Sequence, residues 1–216
     1  MSFQVIMEQL GGGLLKSIEI FALTLLFALP LGLLVSFGRM SKNRILRSVV
    51  WIYISIMRGT PLMLQLLAVY FGPYYIGGMK LGRMWRFTAI IIAFSVNYAA
   101  YFAEIYRSGI ESMPQGQYEA ARILGYSKTS TFFRIIFPQV IKRILPAVTN
   151  EVITLVKDTS LAFSLAYAEM FTIAKQIAAK ETSFMPFLAA ALFYYVFNAL
   201  VAFGMERIEK ALDYYS

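Results

Sequence analysis

Long apolar runs constrain this chain more than any other feature. A helix needs about 20 consecutive, mostly apolar residues to cross the hydrocarbon of a bilayer. Five segments reach that length: residues 14–37, 49–76, 87–106, 146–174 and 184–203. Hydrophobic residues make up 59% of the 216 and charged residues only 15%, whereas soluble domains lie nearer about half and a quarter. Folded in water, such a chain would expose far more apolar surface than one core can hide. The expected class is therefore an all-α membrane protein, one transmembrane unit over residues 1–216. The second and fourth segments are long and carry polar residues, so a kink or a following half-helix is expected in each.

Composition removes several chemistries. With no cysteine and no histidine, there is no disulfide, no thiolate ligand and no imidazole base. The net charge of +8 does not imply nucleic acid, because the basic residues fall between the apolar runs instead of interleaving with aromatics on one face. Gln4, Glu8 and Gln9 precede the first run and no basic leader does, which is unlike a cleavable signal peptide.

The loops set an orientation. Arg39, Lys42, Arg44, Arg47, Arg107, Arg122, Lys128, Arg134, Lys142, Arg143, Arg207 and Lys210 share one side; Lys16, Lys80, Arg83, Arg86, Lys175 and Lys180 fall on the other. The excess marks the first side as cytoplasmic, with the N-terminus outside and the C-terminus inside. Tyr74, Tyr75, Trp85, Tyr214 and Tyr215 fit interfacial belts. Met63, Met79, Met84, Met113, Met170 and Met185 form no helical stripe and read as packing.

The cytoplasmic loop, about residues 108–145, reads as short helices broken by Gly125, Pro138 and Pro146. Glu119 to Leu124 are mostly strong helix formers, and Gly125 suits a helix C-cap. Alanines present little side chain, so a short helix with a small-residue face can enter a groove on another protein.

Glu119, Ala120, Ala121, then Gly125, Ile135, Phe137 and Pro138 resemble the EAA loop of ABC importer permeases, with Phe137 where leucine is usual. Ala103 to Arg107, Ile110 to Gln117, Arg58-Gly59-Thr60-Pro61 and Leu155 to Ala162 resemble the polar amino-acid branch of that family. The resemblance covers about residues 12–212 and implies the type I importer fold in the bacterial inner membrane. It implies two cytoplasmic ATPase subunits that bind ATP and Mg, a second permease subunit (a second copy or a related chain) and an extracytoplasmic solute-binding protein. Glu119, Ala120, Ala121 and Gly125 would couple to the ATPase. No G-x-x-x-x-G-K-[ST] pattern occurs in this chain, so it binds no ATP by that route and is a transport subunit rather than an enzyme.

Ionisable residues inside spans are costly and point to function. Arg58 lies about 14 Å into the second segment and Asp158 about 18 Å into the fourth, at about 1.5 Å per residue. Asn97, Tyr101, Glu104 and Ser108 recur at steps of four, three and four and share a helical face; Glu151, Thr154 and Asp158 share another. At Arg58-Gly59-Thr60-Pro61 the proline frees a backbone carbonyl within the segment. The expected translocation path holds Asn97, Tyr98, Tyr101, Glu104, Arg58, Thr60, Thr154, Asp158 and Thr159. The other reading of these groups is a set of interhelical contacts, for example Arg58 with Asp158. Glu19 and Glu169 fall towards the outer ends, near water, and weigh less. Setting those aside, Glu104, Glu151 and Asp158 outnumber Arg58 and Lys157, which would favour a cationic amino acid such as arginine, lysine or histidine. No metal site or bound cofactor is expected. A gradient-driven secondary transporter is the alternative, but it would call for inverted repeats. An intramembrane aspartyl dyad is excluded, because Asp158 is the single aspartate within a span.

Overall fold

The structure is a computed structural model that describes residues 3–212, the side chains of Phe3 and Arg83 excepted; the belt residues Tyr214 and Tyr215 lie outside the described residues. All described elements are helical: α1 (Phe3–Arg39), α2 (Arg44–Gly59), α3 (Leu62–Gly77), α4 (Arg83–Glu111), α5 (Gln115–Ile123), α6 (Lys128–Thr131), α7 (Phe137–Asp158), α8 (Met170–Glu181) and α9 (Met185–Leu212). A π-turn over Phe132–Ile136 joins α6 to α7, and a 3₁₀ segment over Thr159–Leu165 leads out of α7.

By length and composition, α1, α4 and α9 are long and apolar enough to cross a membrane. The α2–α3 pair makes a fourth if counted as one span, although it bends by 112° at its break. Lys142, Arg143, Glu151, Lys157 and Asp158 all fall in α7, which makes that helix too charged to count with them.

The elements depart from the expected segments in instructive places. The first helix starts eleven residues early, at Phe3 in place of Leu14, and runs straight through Gly11-Gly12-Gly13. The second segment breaks at Thr60-Pro61, and the fourth ends its α-helix at Asp158 in the 3₁₀ segment. Neither Pro138 nor Pro146 breaks the loop as expected. Pro138 sits at the start of α7, where a missing N–H costs nothing, and Pro146 is accommodated within it. The connection between α4 and α7 is thus shorter than residues 108–145.

Packing centres on α4, which runs against α1 along much of its length. Gly32 of α1 permits this: a Cβ there would lie 2.8 Å from Phe102 Cβ and 3.1 Å from the Ala99 carbonyl oxygen. Small residues let helix backbones approach where lipid supplies no hydrophobic drive. Ile90, Phe94, Tyr98 and Phe102 of α4 are buried with Leu155 and Val152 of α7 in the main core. Glu169, expected near water, is instead fully buried. It caps α8, accepting from Phe171 N and Thr172 N at 2.7 Å, and from the Tyr194 hydroxyl of α9 at 3.0 Å.

Candidate functional site: two clefts beside a broken helix

Pro61 has no N–H, so the carbonyl of Met57, four residues earlier, loses its helical donor. Buried in a membrane protein, that oxygen needs another. Asn97 of α4 supplies one: its Nδ2 donates to Met57 O at 3.0 Å and to Gln65 Oε1 at 2.9 Å. Gln65 of α3 supplies the second, its Nε2 reaching Met57 O at 3.0 Å, Thr60 O at 3.1 Å and Thr60 Oγ1 at 2.8 Å. The Thr60 hydroxyl itself donates to Ile56 O. Asn97 and Thr60 are therefore placed in a lock that holds the bend.

The locked bend presents Arg58 to open space. Two adjoining clefts, of about 540 and 550 Å³, share Arg58, Tyr101 and Glu104 in their walls. The Arg58 guanidinium lies over the Tyr101 ring, 5.3 Å from its centroid, a favourable cation–π distance. The first cleft adds Arg39, Trp51 and Ser55 from α1 and α2; the second adds Arg107, Ser108, Arg143 and Glu151 from α4 and α7.

Glu104 is held between two arginines. Arg107 Nη2 approaches it to 2.7 Å and Arg39 Nε to 3.8 Å, while Arg107 also binds Glu111. Arg39 Nε is buried and has no hydrogen-bond partner, which leaves it a donor to give. Together the walls carry Arg39, Arg58, Arg107 and Arg143 against Glu104 and Glu151. The sequence-level charge count missed Arg39, Arg107 and Arg143 because they are remote in sequence or sit at helix ends.

Asp158 does not contribute to this balance as expected. Its Oδ2 accepts a 2.7 Å hydrogen bond from Tyr98, and no ion pair among the described residues joins it to Arg58. Tyr98 is 2% exposed, so this bond clamps α4 to the end of α7 inside the core. Thr154 and Thr159 turn their hydroxyls back to Asn150 O and Val156 O. Of the nine expected path residues, Arg58, Tyr101 and Glu104 come together at the clefts; Asn97 and Thr60 hold the bend; Tyr98 and Asp158 pair; Thr154 and Thr159 bond within their own turns. Gln65 was missed, although a lone glutamine in the apolar run after Pro61 is a readable signal.

At the loop-bearing end, α5 closes with a Schellman motif. Gly125 N donates to Arg122 O and Tyr126 N to Ala121 O, with Gly125 at φ +81°. Ala121 is buried, whereas Glu119 and Ala120 face outward. Ile123 at 87% and Leu124 at 73% exposure extend that outward face as an apolar knob which the alanine signature did not announce.

The comparisons with known proteins agree in kind. A family model described as "Binding-protein-dependent transport system inner membrane component" matches residues 28–214. The L-cystine transport system permease protein TcyB of Bacillus subtilis (strain 168) is 36% identical over 208 residues, 95% of this chain and 87% of its own. The putative glutamine transport system permease protein GlnP of Rickettsia conorii (strain ATCC VR-613 / Malish 7) is 38% identical over 202 residues, 93% of this chain and 91% of its own. Among solved structures, an amino acid ABC transporter crystallised with histidines aligns with a TM-score of 0.86 at 31% identity, covering 98% of this chain and 99% of that one.

Proposed function

The chain belongs to the family of binding-protein-dependent transport system inner membrane components, and we propose on that premise that it is the permease subunit of an ATP-driven importer of polar amino acids. The observation that carries this reading is the pair of charged clefts beside the locked bend. Arg58, Tyr101 and Glu104 stand there on open space within the spanning part of the molecule. Arg58 presents a guanidinium to a substrate carboxylate, Tyr101 supplies a ring face, and Glu104 offers an acceptor to an ammonium group. With four arginines against two glutamates on the walls, the Coulomb preference for a cationic side chain disappears. A zwitterion with a neutral polar side chain fits this balance better.

The chain crosses the membrane five times in this reading, with its N-terminus outside and α5 in the cytoplasm. Two ATPase subunits bind ATP and Mg, a second permease completes the path, and a solute-binding protein delivers the amino acid outside. The outward face of α5, with Glu119, Ala120, Ile123 and Leu124, seats in the ATPase, while Gly125 shapes the turn that ends it and Ala121 anchors the helix to its own subunit.

The test is uptake into proteoliposomes holding permease, ATPase and binding protein, with radiolabelled glutamine, arginine and cystine. Uptake should require ATP, and Glu119→Lys should abolish both co-purification with the ATPase and uptake. Uphill accumulation by the permease alone would overturn the ATP-driven reading, and an intact complex with full transport in Glu119→Lys would overturn the coupling assignment.

A further inference from the structure

Gln117 of α5 and Gln139 of α7 face each other and exchange hydrogen bonds. Gln117 Nε2 donates to Gln139 Oε1 at 2.8 Å, and Gln139 Nε2 donates to Gln117 Oε1 at 2.9 Å. Each side-chain amide carries both donors and an acceptor, so the pair is satisfied in both directions. Both side chains are half-buried, and Gln139 Nε2 also donates to Ile135 O at 2.7 Å, which orients its amide. Gln117 lies one turn before the buried Ala121 on the inward face of α5, away from the outward Glu119 and Ala120.

Along the chain these two helices have no stiff connection. From α5 the backbone passes Gly125 at φ +81°, the short α6 and the π-turn Phe132–Ile136 before α7 begins. At its other end α5 meets α4 through Ser112, Met113 and Pro114. A helix held by one short link can pivot about it, and a second attachment removes that freedom. The amide pair is such an attachment, and Arg143 Nη1 of α7 reinforces the joint by donating to Ser112 O at 3.3 Å. From Gln139, α7 continues as α-helix to Glu151 in the wall of the second cleft and on to Asp158. Those stretches are about 18 and 28 Å long, at about 1.5 Å per residue. Hydrogen bonds that join rigid elements are the means by which one site displaces another at such distances.

We propose that Gln117 and Gln139 are positioning residues that pass the displacement of α5 into α7, and so to the cleft wall at Glu151. With the pair intact, α5 and α7 turn as one body. Without it, α5 pivots between its link to α4 and the glycine turn, and its motion is lost there. This deepens the reading of α5 as the ATPase contact and rests on it. The outward face of α5 holds the partner, whereas the inward Gln117 conveys the motion, so ATPase binding and transport are separable.

The experiment uses permease, ATPase and solute-binding protein in proteoliposomes, with radiolabelled glutamine, arginine and cystine, and reads amino acid taken up per ATP hydrolysed. Gln117→Leu should leave the ATPase bound and ATP hydrolysis running, while uptake per ATP falls about tenfold. Gln139→Lys alone should be uncoupled in the same way. Gln117→Glu combined with Gln139→Lys puts an ion pair in place of the amide pair and should restore the ratio. An unchanged ratio in Gln117→Leu overturns the proposal. So does a complex that no longer assembles, or a double variant that recovers nothing, because either result makes Gln117 a structural contact only. Glu119→Lys keeps the two readings apart: an intact complex with full transport in that variant removes the coupling assignment itself, and the role of the amide pair with it.

Discussion

The chain interrupts a helix twice within its spanning region, and the two interruptions are satisfied in opposite ways. At Thr60-Pro61 the freed Met57 carbonyl is served from a distance, by Asn97 of α4 and Gln65 of α3. At the end of α7 most of the polar groups look after themselves: Thr159 bonds to Val156 O, Ser160 to Lys157 O and Ser164 to Leu161 O, each three residues back. Two long-range hydrogen bonds, Tyr98–Asp158 at its start and Arg86 Nη1 to Ala166 O at its end, tie that second break to α4. A bend held by side chains from other helices has its angle set by the tertiary structure. A break satisfied within its own turns keeps its hydrogen bonds wherever it moves. The first break is therefore built as a fixed support for Arg58, and the second as a segment that can shift while staying satisfied.

The sharpest way to break this contrast is Asn97→Asp. The two side chains have nearly the same shape, but a carboxylate has no donor for Met57 O or Gln65 Oε1 and places acceptors against acceptors in a site only 4% exposed. A buried charge left without its partner costs about 3 kcal/mol or more. The thermal midpoint in detergent should fall accordingly, and amino-acid uptake should be lost with the position of Arg58. An unchanged midpoint would mean that Asn97 does not hold the bend.

Why the sequence disclosed one break more fully than the other follows from the same contrast. Arg58-Gly59-Thr60-Pro61 announces a freed carbonyl, because proline's missing N–H is a local property. The identity of the donors is not local: Asn97 and Gln65 lie 40 and 8 residues from Met57. The helical steps from Asn97 to Ser108 placed Tyr101 and Glu104 on one face, and both do line the clefts. Periodicity could not say that Asn97, on that same face, turns to the bend instead. It also could not reveal that Arg39, at the far end of α1, comes within 3.8 Å of Glu104. Long apolar runs located α1, α4 and α9, whereas α7 had to be inferred across a charged sequence whose proline starts a helix instead of stopping one.

Tyr98→Phe should have an intermediate effect. It removes the hydrogen bond that ties the start of the second break to α4 while leaving the buried ring in place. Interhelical hydrogen bonds in membrane proteins are worth about 0.6 kcal/mol on average and up to about 1.7. Because the acceptor here is a carboxylate, a loss of about 1 to 1.5 kcal/mol is expected in the same unfolding assay. A loss as large as that of Asn97→Asp would show that the second break is also pinned from outside, and the contrast would fail.

Ser164→Ala should do least. Its hydroxyl donates at 2.8 Å to Leu161 O, within the same 3₁₀ segment, and that segment also ends in backbone bonds from Ala166 N to Phe163 O and Tyr167 N to Ala162 O. Alanine adds no volume and leaves those bonds in place. A hydrogen bond made to a neighbouring turn competes with the backbone instead of joining two elements, so its loss should cost under about 0.5 kcal/mol and leave uptake unchanged. A cost above about 1 kcal/mol would mean that the hydroxyls stiffen the segment instead of merely satisfying it. The second break would then be as fixed as the first, reached by local bonds in place of distant ones.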